Sequence, residues 1–309
     1  MRDIRKELTE RIVAQLEAAS PWQRPWAALA STGLPYNATT GRRYRGANIL
    51  SLSCSPSAHT PAWATFKQWQ AAGASVRKGE HGSLIVWYGE INKRGADSAD
   101  DSDDAQKVRV LRYSHVFNHA QVDGAAPLPT AADEHDQTER HAAADALIAA
   151  SGANIQHGGD SACYVPGWDE IRMPPRAAFQ PTKTASATEH YYSTVLHELG
   201  HWTGHDTRLD RDLSGRFGTA AYAVEELVAE LSAAFACAEL GISDSPRPDH
   251  AQYLKHWLGV LKADSRALFT AAARASDIFE YLVARTGRKL ADRPVIAPPA
   301  AQPSLPLAA

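Results

Sequence analysis

The sequence predicts an α+β protein of two domains: a small α+β domain, then a mostly helical domain with a small sheet. Three observations carry this. A chain of 309 residues is longer than one core usually organises. Its charge is uneven, with 16 Lys+Arg against 12 Asp+Glu in residues 1–125 and 16 against 23 in the remainder. The strongest strand pattern falls in the first part, whereas long runs at helical spacing dominate the second. The predicted boundaries are 1–125 for the first domain, 126–140 for a linker, 141–290 for the second domain and 291–309 for a disordered Pro/Ala-rich tail.

In chain order, residues 2–19 carry Ile4, Leu8, Ile12, Val13 and Leu16 as one helical stripe among charges, a packing helix. An extended aromatic-basic segment at 21–26 and a turn-rich one at 37–48 follow. Residues 61–72 predict a helix, with Trp63, Phe66 and Trp69 spaced as a core stripe. A basic glycine turn at 76–82 leads into a strand at 83–88, and a second strand spans 107–117. The acidic, weakly hydrophobic residues 95–105 between them make the disordered tip of a hairpin. A helix at 133–150 opens the second domain, then short strands at 163–165 and 170–173. Helices follow at 188–204, 220–240, 249–261 and 265–285.

The three cysteines, Cys54, Cys163 and Cys237, are far apart and form no C-x-x-C pair. That argues against cysteine-held zinc and for a reducing, cytoplasmic setting. No run approaches 18 apolar residues and the N-terminus has no apolar leader, so membrane insertion and secretion are not expected. A monomer is expected.

The helix at 188–204 contains H-E-L-G-H: His197, Glu198 and His201. Positions four apart share a helix face, so both imidazoles reach one ion. Zinc takes neutral nitrogen donors at roughly 2.0–2.1 Å and, when catalytic, keeps a position open. Glu198 sits where its carboxylate takes a proton from a water. The motif alone also fits a surface helix with two histidines, so its weight depends on a third ligand. A His six positions beyond the second is absent, that place being Thr207. The helix at 220–240 instead carries Glu225, Glu226 and Glu230 among apolar residues, where carboxylates are costly unless paired or metal-bound. Glu226 is the preferred third ligand, with Glu225 the alternative. Glu230, four positions on, is read as the acceptor that fixes a ligating imidazole. Tyr222, Tyr164 and His205 are candidates to hold an oxyanion.

Residues 19–94 hold nine Lys/Arg against two acids, and five of the eight tryptophans. Cations track phosphates and flat rings accept unstacked bases, so the mixture suits single-stranded DNA, with duplex DNA a second ligand. The residues named for this are Trp22, Trp26, Arg42, Arg43, Tyr44, Arg45, Asn48, Arg77 and Lys78.

Several motifs occur together: Y-R-G-A-N, W-A-T-F-K-Q-W, V-R-K-G-E-H-G, V-F-N-H-A-Q, Y-V-P-G-W-D-E-I-R-M-P, H-E-L-G-H-W-T-G-H and Y-A-V-E-E-L-V-A-E-L. As a set they resemble the ArdC antirestriction proteins of conjugative plasmids, over nearly all of residues 1–290. The first half is also similar to the N-terminal part of TraC-type primases. The resemblance implies a single-stranded-DNA-binding domain followed by a zincin-like metallopeptidase domain. It implies a protein that shields incoming plasmid DNA from host restriction enzymes; the reading in which the metal site is active adds a host restriction-system protein as the partner it cleaves. It places Zn2+ or another divalent ion on His197, His201 and Glu226, with Glu198 as general base. Two other readings are a DNA-coating protein with a structural or inactive metal site, and a general cytoplasmic zinc metalloprotease.

Overall fold

The computed structural model describes residues 3–18, 26, 29–92, 107–128, 137–183, 185–215, 219–243, 250–288, 290 and 293–296. The acidic segment 95–105 and Trp22 lie outside them.

The first half runs α1 (Ile4–Ala18), α2 (Leu29–Thr32), β1 (Tyr36–Asn37), α3 (Ala47–Ser53), β2 (Ala62–Thr65), α4 (Phe66–Ala71), β3 (Ser75–Val76), β4 (Ser83–Asn92), β5 (Lys107–Asn118) and β6 (Val122–Asp123). Its sheet has the order β1-β2-β5-β4, and β3 and β6 form a separate two-stranded ribbon. The predicted hairpin is β4–β5, paired from Ser83↔Val116 to Asn92↔Lys107. β4 is an edge strand whose outer polar groups need partners. α3 provides partners at two of its residues: Ser51 Oγ donates to Leu84 O, and the Asn48 amide donates to Val86 O at 2.7 Å and accepts from Val86 N at 2.8 Å.

The helix expected over 61–72 divides in two. Residues 62–65 form β2, parallel to β1 and antiparallel to β5. Thr65 then caps α4, its side chain accepting from Gln68 N while Gln68 reaches back to Thr65 N. This capping box outranks the three-residue aromatic spacing. Trp63 and Trp69 are buried, but Phe66 is 53% exposed and belongs to no core stripe.

The second half runs α5 (Gln137–Ser151), β7 (Asn154–His157), β8 (Cys163–Val165), β9 (Glu170–Met173), α6 (Ala187–Trp202), α7 (Ala220–Leu240), α8 (His250–Ala263) and α9 (Ser265–Arg285). The sheet order β7-β9-β8 leaves β8 on an edge. α6 starts at a capping box in which Ser186 accepts from Glu189 N and Glu189 accepts from Ser186 N. Gly241, at φ 64°, closes α7 in the left-handed conformation that glycine adopts without penalty.

The two halves share one core. Leu8, Ile12 and Leu16 of α1 and Leu50 of α3 belong to the same buried cluster as Phe235 of α7 and Ile278 of α9. Ion pairs reinforce the join. Arg43 grips Glu239 with both guanidinium nitrogens, and Arg293 reaches the same carboxylate at 3.0 Å. Arg45 pairs with Asp277 at 3.0 Å and Glu280 at 2.6 Å. The expectation of a disordered tail fails at residues 293–296. Arg293 N donates to Gly41 O at 2.9 Å, Ile296 N donates to Ala38 O at 2.7 Å, and Ile296 is buried against the first-half sheet. Ile296, the two backbone bonds and the Arg293–Glu239 pair together anchor them.

Candidate metal centre

α6 and α7 meet closely at the site because Gly200 has no side chain. A Cβ there would lie 2.6 Å from Ser232 Oγ and 3.1 Å from Ala229 Cα. One turn of α6 therefore presents His197 and His201 directly to the carboxylates of α7. The Nε2 atoms of the two imidazoles are 3.1 Å apart. Glu226 lies 3.6 Å from the first and 3.5 Å from the second. These three donors all fall within 4.8 Å of one another.

Each imidazole has its own carboxylate behind it. Glu230 Oε2 stands 3.5 Å from His197 Nδ1, and His201 Nδ1 donates to Glu225 Oε1 at 3.3 Å. Both rings are thus turned with Nε2 toward the shared point. Glu225 is in turn held by buried Arg211, whose NH2 donates to it at 2.8 Å and Nε at 3.2 Å. Arg211 also donates to Thr203 Oγ1 at 2.8 Å and Gly200 O at 2.6 Å, tying the segment after α6 back to that helix.

Burial disfavours a charged His201, but the Glu225 and Glu226 carboxylates outweigh it and raise the pKa to about 10. Burial likewise opposes an ionised Glu226, yet hydrogen bonds and charge from His197 and His201 hold it well below the carboxylate range. Two ring nitrogens 3.1 Å apart beside a carboxylate also form a convergent donor set that one shared cation could take. The N2O donor set suits zinc or a similar divalent ion.

In front of the donors lies a cleft of about 300 Å³. Glu198, only 2% exposed, lines it with Tyr164, Tyr222 and Cys163 of the edge strand β8. The three oxyanion candidates separate here. Tyr222 lines the cleft. Tyr164 also lines it, but its hydroxyl donates to Asp169 at 2.9 Å and accepts from Arg208 at 3.2 Å. Burial and Asp169 push that hydroxyl's pKa up to about 12. His205 lies beyond the end of α6, bonded to Thr207 and paired with Asp206.

The residues named for DNA scatter. Trp26 is 1% exposed against Trp257, so no base can reach its ring. Tyr44 packs on Leu52 and Trp63. Arg43 and Arg45 are spent on the second half, Asn48 on β4, and Arg77 on Glu80, Asp123 and Ala120 O. Arg42 and Lys78 are exposed. Sequence reasoning missed Arg211 and Arg208. The latter lies 3.9 Å over the Trp202 ring and pairs with Asp169. Their partners lie outside helical or strand spacing, 8 to 14 positions from Arg211 and up to 44 from Arg208, so nothing in the local pattern marks them.

Helices supplying a two-histidine, one-carboxylate cluster beside an edge strand define the class: residues 142–274 match a zincin-like metallopeptidase model. Residues 2–117 match the N-terminal domain of anti-restriction factor ArdC. The chain belongs to the ArdC antirestriction family. Crystal structures of the ArdC protein of plasmid R388, one metal-free and one Mn(II)-bound, superpose with TM-scores of 0.74 and 0.72 at 33% identity. They cover 94% and 93% of this chain and 100% and 99% of their own. An uncharacterized protein of Sinorhizobium fredii, y4eC, is 42% identical over 294 residues, 92% of each chain. Two DNA primases TraC of Escherichia coli are 39% identical over 90% of this chain, which spans only 27% and 20% of their lengths.

Proposed function

We propose that this protein is an antirestriction factor that binds single-stranded DNA through its first half and acts as a metallopeptidase through its second. It would protect plasmid DNA entering a recipient cell, in the cytoplasm, with a protein of the host restriction system as the peptidase substrate. No helix among the described residues is long and apolar enough to cross a membrane.

The observation that carries the reading is the openness of the cluster. Three protein donors face a cleft of about 300 Å³, whereas a structural zinc site closes its fourth position with a protein ligand. His197, His201 and Glu226 would hold Zn2+ or a related divalent ion. When bound, that ion supplies Lewis acidity, polarising a carbonyl and lowering the pKa of water. The remaining work falls to the chain. Glu198 accepts the proton of the attacking water and returns it to the leaving amine. A peptide adds to the open edge of β8, which aligns its carbonyl with the cleft. Tyr222, on the cleft wall, donates to the developing oxyanion.

Glu198→Ala tests the reading. In a conjugation assay against a restricting recipient, the variant should lose protection while keeping metal content and DNA affinity. Full protection by Glu198→Ala would leave DNA occupancy as the mechanism and the metal site as structural.

A further inference from the structure

The sheet of the first half carries an aromatic strip that the basic-aromatic composition did not single out. Tyr113, His115 and Phe117 alternate along β5 and so share one face. Tyr113 is 49% exposed and His115 is exposed, their rings 6.1 Å apart and perpendicular. Phe117 continues the row and meets Phe66 of α4, ring centroids 6.4 Å apart. Across the hairpin, Leu84 and Val86 oppose His115 and Tyr113 but are buried beneath Ile4 and Phe269. The strip is therefore the uncovered margin of a face whose other side is core. Gly82 keeps it clear, because a Cβ there would come within 2.9 Å of His115 Cβ and 3.1 Å of Phe117 Cζ.

Its setting is basic. Residues 29–92 and 107–128 carry nine Lys+Arg and three Asp+Glu, and six of the nine remain after Arg43, Arg45 and Arg77, which are paired with acids, are set aside. Two of those acids, Glu80 and Asp123, are already matched by Arg77. Lys67 follows Phe66, and Lys78 and His81 lie in the turn before Gly82, all three exposed. Flat rings in a row beside uncommitted positive charge fit a polyanion with unpaired aromatic faces. A duplex stacks its bases on one another and offers such rings nothing to stack on.

We infer that Tyr113, His115, Phe117 and Phe66 form the platform on which unpaired bases of single-stranded DNA stack, with Lys67 and Lys78 meeting its phosphates. This rests on the single-strand-binding reading above and names its surface.

The test is fluorescence anisotropy of the full chain with labelled oligothymidylate across a salt series. Phe66→Ala/Tyr113→Ala should bind about 30-fold more weakly, since stacking on each ring contributes about 1 kcal/mol or more. Phe66→Tyr/Tyr113→Phe should bind as the parent does. Trp87→Ala is the control. That ring is 47% exposed but lies on the opposite face, 5.3 Å from the Arg112 guanidinium, and its loss should leave affinity unchanged. Lys67→Glu/Lys78→Glu keeps every ring and should weaken binding and flatten its salt dependence, which decides the matter if the alanine pair misfolds. Unchanged affinity in both the alanine and the charge-reversed pairs would overturn the platform while leaving single-strand binding intact, as would equal loss in Trp87→Ala. Failure of the parent protein to bind would overturn both.

Discussion

Two adjacent glutamates on α7 do different jobs. Glu226 faces the point shared by the imidazoles, while Glu225, rotated by one helical step, backs His201 and is gripped by Arg211. The sequence reading left them as alternatives for one role, because a run of two carboxylates does not show which faces the neighbouring helix. Arg211 explains why both are tolerated among apolar side chains, since its buried guanidinium offsets one of the charges. Arg211→Met strands the Glu225 carboxylate and should cost about 3–5 kcal/mol in thermal or denaturant unfolding. Arg211→Met/Glu225→Leu removes both charges and should cost less than the single change. Glu225→Ala should weaken zinc affinity about 10- to 100-fold in chelator competition, by releasing the His201 ring.

Among the elements, α6 depends most visibly on its first turn. Glu189 accepts from Ser186 N at 2.8 Å and from Ser243 N, just beyond α7, at 3.0 Å, so it fixes the start of one metal-site helix to the end of the other. Burial opposes its ionisation, but these bonds win and hold its pKa below the usual 4.5. Its contribution is therefore complete above about pH 4.5 and is lost as pH falls through the lower folded value. Acid unfolding followed by circular dichroism should show a smaller pH dependence below that point in Glu189→Gln. Ser186→Ala should cost about 1 kcal/mol at neutral pH. Local signals of this kind were legible: α7 and α9 begin and end where the Ala- and Leu-rich patterns do. Residues 61–72 were misread because aromatic spacing was weighed and the Thr65 cap was not. The pairing of Arg43 with Glu239, 196 positions away, has no local signature, and so its charge was assigned to DNA.

For the whole molecule, the boundary near residue 125 separates two patterns of secondary structure but not two cores. A fragment of residues 1–125 would expose Leu8, Ile12 and Leu16 of α1, together with Leu50, all buried against the second half. It should aggregate or bind apolar dye, and the full chain should unfold in one calorimetric transition with both halves melting together. Two separate transitions would show that the join is weaker than its buried surface suggests. The same weld bears on inheritance. Arg43, Glu239 and Arg293 come from three remote parts of the chain and meet at one carboxylate, so neither half could be traded alone without leaving charges and apolar faces bare. The TraC primases match 90% of this chain within 27% and 20% of their own lengths. In both primases the similarity runs across the two halves together, as a shared core and a shared carboxylate require.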